Sequence, residues 1–428
     1  MESVFSKFLT ANKSISAEFK PIISNLFSLI VLQGSNYVLP LLTLPYLVRV
    51  LGPEKFGLIS FAQALVGYFV IVTDYGFNLS ATKEISINKA DQEKVSRIFS
   101  SVILLKVLML CISFIIFSVI VLFLESSPSD RSIYFFSFGM VVGQVIFPTW
   151  FFQGMEKMKY ITLINIFSKL IFTVLIFLFV KSAADYHYVP VVTSLGFILG
   201  GITSLIISFK NFGIRFILPT IKDLVQQLRD GFSIFVTSLS SNVISSSGIF
   251  ILGLFQSREV VGYYSAIEKL GKAFVSVFYP ITQAIFPHVS IQFAKSKEAG
   301  KTIVLKIGKY TMLLALFVVL VMAIFYKEIV ALVYNLQFVN YSYLLIYFGI
   351  WLFFGVLNNF IGIQFLVGSG NSAVYSRAFA IASATTLTIF IFLTQQYSYK
   401  AIVGGILSGE VILTFVMMRF IYKLKLTK

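Results

Sequence analysis

The sequence predicts an all-α polytopic membrane protein, with about twelve transmembrane helices in two parallel six-helix repeats around a central cavity. Of the 428 residues, 57% are hydrophobic and only 12% are charged, whereas soluble proteins carry roughly 25% charged residues. The mean hydropathy is +0.90. Apolar runs of membrane-crossing length, and a motif that recurs between the two halves, complete the evidence for this fold class.

Twelve apolar runs have about the 20 residues that an α-helix needs to cross the hydrocarbon core of a bilayer. The predicted spans are residues 22–48, 58–82, 98–124, 132–152, 161–180, 189–209, 231–255, 261–291, 308–334, 341–367, 373–395 and 401–422. Pro280 and Pro287 interrupt the eighth run, which is long enough to tilt or to extend beyond the bilayer. Residues 1–20 fit either an amphipathic surface helix or a loosely ordered tail.

The loop charges predict the orientation of these spans. The side that holds the N-terminus carries 23 of the 34 lysines and arginines, and the opposite side carries 7. Cytoplasmic loops of membrane proteins are enriched in Lys and Arg. We therefore expect both termini to be cytoplasmic.

A short motif, E-x-x-G-x-x-S, occurs at equivalent points of the two halves. It begins at Glu54 after the first span and again at Glu259 after the seventh, at an offset of 205, and Leu65 and Leu270 extend the match. Six spans in each half place both copies on the same side, as in a parallel repeat related by an axis along the membrane normal. The predicted divisions are an N-lobe at residues 1–210, a cytoplasmic linker at 211–230 and a C-lobe at 231–428.

Several function classes are excluded. The net charge of +16 is spread over short loops, which indicates membrane topology rather than nucleic-acid binding. A single cysteine, Cys111, forms no disulfide within the chain. The Gly300-Lys301-Thr302 triplet lacks the first glycine of a phosphate-binding loop, because Lys295 holds that position. We find no catalytic constellation, metal site or cofactor motif, so the sequence predicts a protein that is not an enzyme.

Ionisable residues inside spans are the candidate functional residues, because each costs about 2.5–3.5 kcal/mol or more to insert. The candidates for substrate binding are Arg49, Lys106, Lys169, Lys269 and Lys272, and those for ion coupling are Asp74, Glu268 and Glu410. The positive excess predicts a cationic cavity for an anionic substrate, and phosphate is the common biological choice.

Structural roles compete with these functions. Glu268 and Lys272 are four residues apart and can form an ion pair on one helix face, which leaves Lys269 as the excess charge. Lys106 is close enough to the cytoplasmic end of its span to reach the interface, whereas Lys169 is near the middle of its span. Asp74 and Glu410 are the two lone acids, and each could be a proton site, a cation site or the partner of one of the lysines.

Five stretches resemble a known family of transporters. They are residues 43–57 (TLPYLVRVLGPEKFG), 73–84 (TDYGFNLSATKE), 148–156 (PTWFFQGME), 279–287 (YPITQAIFP) and 368–371 (GSGN). They are similar to the Wzx-type O-antigen flippases, in the polysaccharide transport branch of the MATE-like flippase superfamily. The resemblance covers nearly the whole chain and is strongest through residue 160.

The resemblance implies a protein of the bacterial inner membrane with two six-helix lobes around a cationic cavity. It implies that the substrate is one O-antigen repeat unit on undecaprenyl pyrophosphate, moved from the cytoplasmic to the periplasmic leaflet. Coupling to H⁺ or Na⁺, as in an antiporter, and contact with glycan polymerase or assembly proteins are further expectations.

Two other functions stay open. The first is a MATE-type cation-coupled exporter of small molecules, although acids and aromatics usually line such sites and the positive excess argues against it. The second is a membrane scaffold for glycan assembly, in which the intramembrane charges could be neutralised without effect.

Overall fold

The protein is a bundle of α-helices. The computed structural model describes the backbone of residues 19–423 and their side chains apart from 19–41, 233, 237, 240–246 and 284. The helices are α1 (Phe19–Asp74), α2 (Phe77–Asn88), α3 (Gln92–Leu124), α4 (Pro128–Ile146), α5 (Thr149–Gly154), α6 (Met158–Phe179), α7 (Tyr188–Phe212), α8 (Ile221–Phe255), α9 (Arg258–Ser276), α10 (Phe278–Lys295), α11 (Lys297–Ile324), α12 (Tyr326–Val333), α13 (Leu344–Asn358), α14 (Ser372–Tyr397) and α15 (Tyr399–Lys423). Two 3₁₀ turns (Ala183–His187 and Leu336–Tyr341) and a π-helical segment (Asn359–Val367) join them. The described residues contain no β-strand.

Ten helical segments of the described part are long and apolar enough to cross a membrane. The ten do not include separate segments for the predicted spans at 22–48 and 231–255, where some side chains are not described, although the backbone of both is helical. The chain is therefore a multi-pass membrane protein. The amphipathic helix predicted near the N-terminus lies largely outside the described residues.

The first helical hairpin turns at a single residue. Gly52 has φ 70° and ψ 175°, which divides α1 into α1a (residues 19–51) and α1b (residues 53–74). Glycine adopts a positive φ without steric cost, and Pro53 suits the first position of the next helix. The turn between the two helices of the hairpin is thus confined to this one residue.

Some predicted spans are divided in the structure. The predicted span 58–82 breaks after α1b, where Tyr75 and Gly76 have φ values of 47° and 80°. The predicted span 132–152 breaks at Pro148, which has no backbone N–H to continue α4. The long run 261–291 becomes α9 and α10, and Pro280 falls in the first turn of α10. Sequence hydropathy does not detect such breaks, because the apolar composition continues through them.

Small residues allow the helices of the N-lobe to approach closely. A Cβ atom on Gly143 of α4 would lie 2.5 Å from the backbone carbon of Phe197 in α7, and one on Gly139 would lie 2.6 Å from the Cβ of Ser194. Membrane helices associate through such small-residue contacts because lipid offers no hydrophobic driving force between them. The α4–α7 pair is thus closely packed, and α7 lines the cavities described below.

The loops of the bundle gather at two ends. We call one end the latch end, with segments 49–57, 125–131, 181–187 and 256–258, and the other the basic end, with segments 83–97, 156–160, 210–222 and 295–301. At the basic end, the predicted linker 211–230 comprises the end of α7, an extended stretch and the first turns of α8. Thr220 caps α8, and the hydrogen bonds with Thr220 lower the pKa of Asp223. The boundary between the lobes stays a prediction.

Candidate functional site: a cationic cavity between the lobes

A central cavity lies between α1, α6 and α7 of the N-lobe and α9 of the C-lobe. Its volume is about 320 Å³, and the charged residues that line it are Lys269 and Lys272. Thr43, Gln63 and Thr193 add polar groups to a lining that is otherwise mostly apolar. The arrangement suits an anionic group that enters a largely dry space between the lobes.

Lys269 is held by neutral partners. Its Nζ donates to the Ser60 hydroxyl at 3.2 Å and lies 4.7 Å from the centre of the Phe56 ring. The described ion pairs do not include Lys269. A partly buried ammonium with a hydroxyl and a ring as partners keeps its charge available for an anion.

The predicted pair on α9 is present. Lys272 Nζ lies 3.0 Å from Glu268 Oε1, and the Glu268 side chain is 5% exposed while that of Lys272 is 44% exposed. Glu268 Oε2 is buried without a hydrogen-bond partner. The Glu268–Lys272 pair is thus neutral overall and leaves Lys269 as the excess positive charge of the helix.

Lys169 lines a second cavity that adjoins the first. This Lys169 cavity has a volume of about 130 Å³, lies between α6 and α7, and includes Asn165 and Ser168. It shares Phe172 and Thr193 with the central cavity. The structure therefore brings together three of the five predicted cations, which come from both lobes.

A third cavity adjoins the Lys169 cavity on the side of the basic end. We call it the amide cavity, because Asn78, Gln144, Gln153 and Asn165 line it together with Thr149. Its volume is about 370 Å³, and it shares Phe147, Asn165 and Phe197 with the Lys169 cavity. Amides both donate and accept hydrogen bonds, as a ligand rich in hydroxyl groups requires. The sequence analysis did not single out these residues, because they come from four helices.

Two of the predicted residues, Asp74 and Lys106, are partners. Lys106 Nζ lies 3.6 Å from Asp74 Oδ1, and the Lys106 side chain is 3% exposed. Lys106 Nζ also donates to the Gln144 carbonyl at 3.3 Å, and Asn78 Nδ2 donates to Asp74 Oδ1 at 2.7 Å. Lys106 therefore does not reach the interface, and its charge is directed to Asp74 beside the amide cavity.

Glu410 is a partly buried acid in the C-lobe. Trp351 Nε1 donates to it at 3.1 Å, and Asn358 Nδ2 donates to it at 2.6 Å. Asn358 in turn accepts from the Thr414 hydroxyl at 2.7 Å. Among the described residues, no Lys or Arg forms an ion pair with Glu410. A carboxyl group with neutral donors alone is suited to take up a proton or a small cation.

Arg49 lies outside the three cavities. Its Nε donates to the Val333 carbonyl at 3.0 Å, and its Nη2 donates to the Leu332 carbonyl. These carbonyls end α12, where a positive charge is favoured by the helix dipole. Arg49 thus connects the N-lobe to the C-lobe at the latch end, and its predicted role in substrate binding stays a prediction.

Arg258 forms a second connection at the latch end. Its guanidinium pairs with Glu125 and with Asp130, whose side chains are each 8% exposed. Tyr186 OH donates to Asp130 Oδ1 at 3.0 Å. In the sequence, Arg258 counted only as one of the few basic residues on the outer side, and nothing local indicated its partners.

The two copies of the repeated motif meet between the lobes. A Cβ on Gly57 of α1b would overlap the carbonyl oxygen of Arg258, and one on Gly262 of α9 would overlap that of Pro53. Backbone thus meets backbone, which glycine alone permits. Together with the bonds of Arg49 and Arg258, this contact closes the latch end.

Comparisons with known proteins agree with this architecture. A family model described as "Polysaccharide biosynthesis protein" matches residues 22–293. A protein of Escherichia coli strain K12 named "Putative O-antigen transporter" is 30% identical over 402 residues, which are 94% of this chain and 97% of that protein.

Two solved structures share the fold. An inward-facing multidrug resistance transporter of the MATE family and MOP superfamily has a TM-score of 0.71 at 12% identity, over 91% of this chain and 94% of that one. The lipid II flippase MurJ, in an inward closed conformation, has a TM-score of 0.68 at 16% identity, over 94% and 87% of the two chains. These likenesses confirm the predicted all-α fold of two lobes.

Proposed function

Because the chain belongs to the polysaccharide biosynthesis protein family, whose members are transporters and not catalysts, we propose that it flips a lipid-linked glycan across the membrane. The proposed substrate is one O-antigen repeat unit on undecaprenyl pyrophosphate. The direction is from the cytoplasmic to the periplasmic leaflet of the bacterial inner membrane. Membership in this family confirms the resemblance that the sequence motifs indicated.

The observation that carries the proposal is the row of three adjoining cavities. Lys269 supplies the excess positive charge in the first, beside the Glu268–Lys272 pair, Lys169 lines the second, and amides line the third. A diphosphate needs cationic partners in a place of low dielectric constant, where charge-assisted hydrogen bonds are strong. Sugar hydroxyls need neutral donors and acceptors. The order of the cavities therefore matches a substrate whose diphosphate connects a polar glycan to a lipid chain that stays in the bilayer.

Alternating access is the proposed mechanism. The closed latch end is the periplasmic side, and the basic end is the cytoplasmic side, in keeping with the distribution of Lys and Arg. Opening the bonds of Arg258 and Arg49, and separating Gly57 from Gly262, would allow one lobe to rock on the other and expose the cavities to the periplasm.

The proposed coupling site is Glu410, with Asp74 and Glu268 as the other candidates. Glu410 accepts hydrogen bonds from Trp351 and Asn358 and has no ion pair among the described residues. Uptake of H⁺ or Na⁺ would change the charge of the C-lobe and bias the equilibrium between the two conformations. Asp74 already has Lys106 as a partner, and Glu268 has Lys272.

The experiment that tests the function uses a strain that lacks this protein but keeps the glycan-assembly enzymes. We expect single repeat units on the polyprenyl carrier to accumulate on the cytoplasmic face, and the restored protein to relieve this accumulation. Normal delivery to the periplasm would refute the proposal and favour the small-molecule exporter.

The cavity lysines are tested in the same strain. The Lys269→Ala variant should restore delivery poorly at unchanged abundance, because a hydrogen bond to a charged group contributes about 1.5–3 kcal/mol. The Lys269→Arg variant keeps the charge and should restore more. Equal loss of abundance and delivery would assign Lys269 to folding, and full delivery by the alanine variant would support the scaffold alternative.

A further inference from the structure

A groove on the C-lobe lies apart from the three cavities. It has a volume of about 590 Å³ and runs between α11, the π-helical segment and α15. Lys301 and Lys309 line it, together with apolar and aromatic side chains that include Phe360, Met418 and Tyr422. It shares no lining residue with the central cavity. We call it the C-lobe groove.

One face of α11 forms a wall of the groove. Lys301, Leu305, Lys309 and Met312 recur at intervals of three or four residues, which places them on one side of the helix. Gly308 lies on the same wall, and a Cβ there would lie 3.2 Å from the Phe360 ring. A side chain at Gly308 would therefore press against the Phe360 ring that lines the groove.

The groove opens toward the bilayer. The side chains of Met418 and Tyr422 are 51% and 85% exposed, and both lie on the last turns of α15 at the basic end. Tyrosine at this level is typical of the boundary between the hydrocarbon core and the headgroups. An occupant would thus enter sideways from the lipid and not from the central cavity.

The charge of the groove selects the occupant. Lys301 and Lys309 are eight residues apart, about 12 Å along the helix, and none of the described residues that line the groove is acidic. Basic pockets between membrane helices on the cytoplasmic side bind the headgroups of anionic lipids. The remaining lining is apolar, as a hydrocarbon chain requires.

We propose that the C-lobe groove binds one anionic phospholipid of the surrounding membrane. Its phosphate lies between Lys301 and Lys309, and an acyl chain follows Phe360 toward Met418. This site is separate from the proposed substrate site and does not depend on it. The lipid would stabilise the contact between α11 and α15 in the C-lobe.

The test is native mass spectrometry of the purified full-length protein, exchanged into phosphatidylglycerol or phosphatidylcholine. The unmodified protein should retain one phosphatidylglycerol and lose phosphatidylcholine readily. In the Lys301→Gln/Lys309→Gln variant, the affinity for phosphatidylglycerol should fall about 30-fold, which is about 2 kcal/mol, since a basic residue near the surface contributes about 1 kcal/mol.

The matched control is Lys295→Gln/Lys306→Gln. It removes the same charge from exposed positions of the same end that are not part of the groove lining, and its affinity should change less than about threefold. Equal losses of phosphatidylglycerol affinity in the two variants would mean that general surface charge, and not the groove, holds the lipid, and would overturn the proposal. Equal retention of both lipids by the unmodified protein would also overturn it.

Two further arms identify the occupant. Inorganic phosphate at millimolar concentration should not displace the bound lipid, and displacement would indicate a phosphate site without a place for the chain. Undecaprenyl phosphate added at equal concentration should not replace phosphatidylglycerol. Preferential retention of undecaprenyl phosphate would overturn the assignment to a membrane phospholipid.

Discussion

Replacing Arg258 with glutamine should open the latch end. The substitution keeps a side chain of similar length but removes the positive charge that pairs with Glu125 and Asp130. Those two carboxylates are each 8% exposed, so they would be left nearly buried without a cation. Glu125 and Asp130 lie on the N-lobe, whereas Arg258 lies on the C-lobe. Without the guanidinium between them, the two carboxylates would also repel each other in the closed conformation.

The size of the effect follows from burial. Removing one partner of a fully buried ion pair costs about 3–5 kcal/mol. Arg258 is 35% exposed, so water screens part of the attraction and about 1–3 kcal/mol is the expected range. That corresponds to about a 5–150-fold shift of the equilibrium toward an open latch end.

Electron spin resonance measures this shift as a distance between two spin labels. Labels at Ser126→Cys and Gln396→Cys lie on exposed positions of the two lobes, in a background where Cys111 is replaced by serine. We expect a longer-distance population to appear in the Arg258→Gln variant. The control is Lys327→Gln, which removes an exposed charge that lies over the Tyr326 ring and has no ion pair among the described residues. An unchanged distance distribution in the folded Arg258→Gln variant would refute the role of the ion pairs in closure.

Three other predictions concern the Gly262 contact between the lobes, the Lys106–Asp74 pair of the N-lobe and Glu410 of the C-lobe. Gly262→Val should displace α9 from α1b, because the added atoms overlap backbone, and the same spin labels should report an open latch end; a closed one would contradict the backbone contact. Lys106→Met leaves Asp74 without its cation and should lower the free energy of unfolding by about 2–4 kcal/mol. Adding Asp74→Asn should recover part of that loss in thermal unfolding, and additive losses would mean that the pair is not coupled. Glu410→Gln keeps an acceptor for Asn358 but cannot change charge, so flipping in vesicles should lose its dependence on an imposed ion gradient, and a retained dependence would assign coupling to another acid.

Much of the architecture was predictable, because its signals are local. Hydropathy over about 20 residues located the spans, and loop charge predicted their orientation. The Glu268–Lys272 pair followed from its spacing of four residues on one helix. The repeated motif indicated two halves, although nothing in it indicated that Gly57 and Gly262 face each other.

The candidate site was predictable only in part. Lys169, Lys269 and Lys272 were predicted from their charge inside spans, and the structure places them around adjoining cavities, while their role in substrate binding stays a prediction. Arg49 and Lys106 carried the same signal, yet one contacts the end of α12 and the other pairs with Asp74. A charge inside a span is visible in the sequence, but its partner depends on the rotation of that helix against its neighbours.

Composition, periodicity and loop charge therefore determined the membrane class and the helices of this protein, and the resemblance of five sequence stretches indicated its family. Tertiary structure decided which partner each charged side chain has. Arg258 pairs with two acids more than 120 residues away in the chain, and Lys269 donates to the Ser60 hydroxyl. It also decided that amides from four helices share one cavity and that α11 and α15 enclose a groove. The physical reason is the separation along the chain over which each signal acts. Helix periodicity relates residues within a few turns, whereas helix packing sets the distances between residues far apart in the chain.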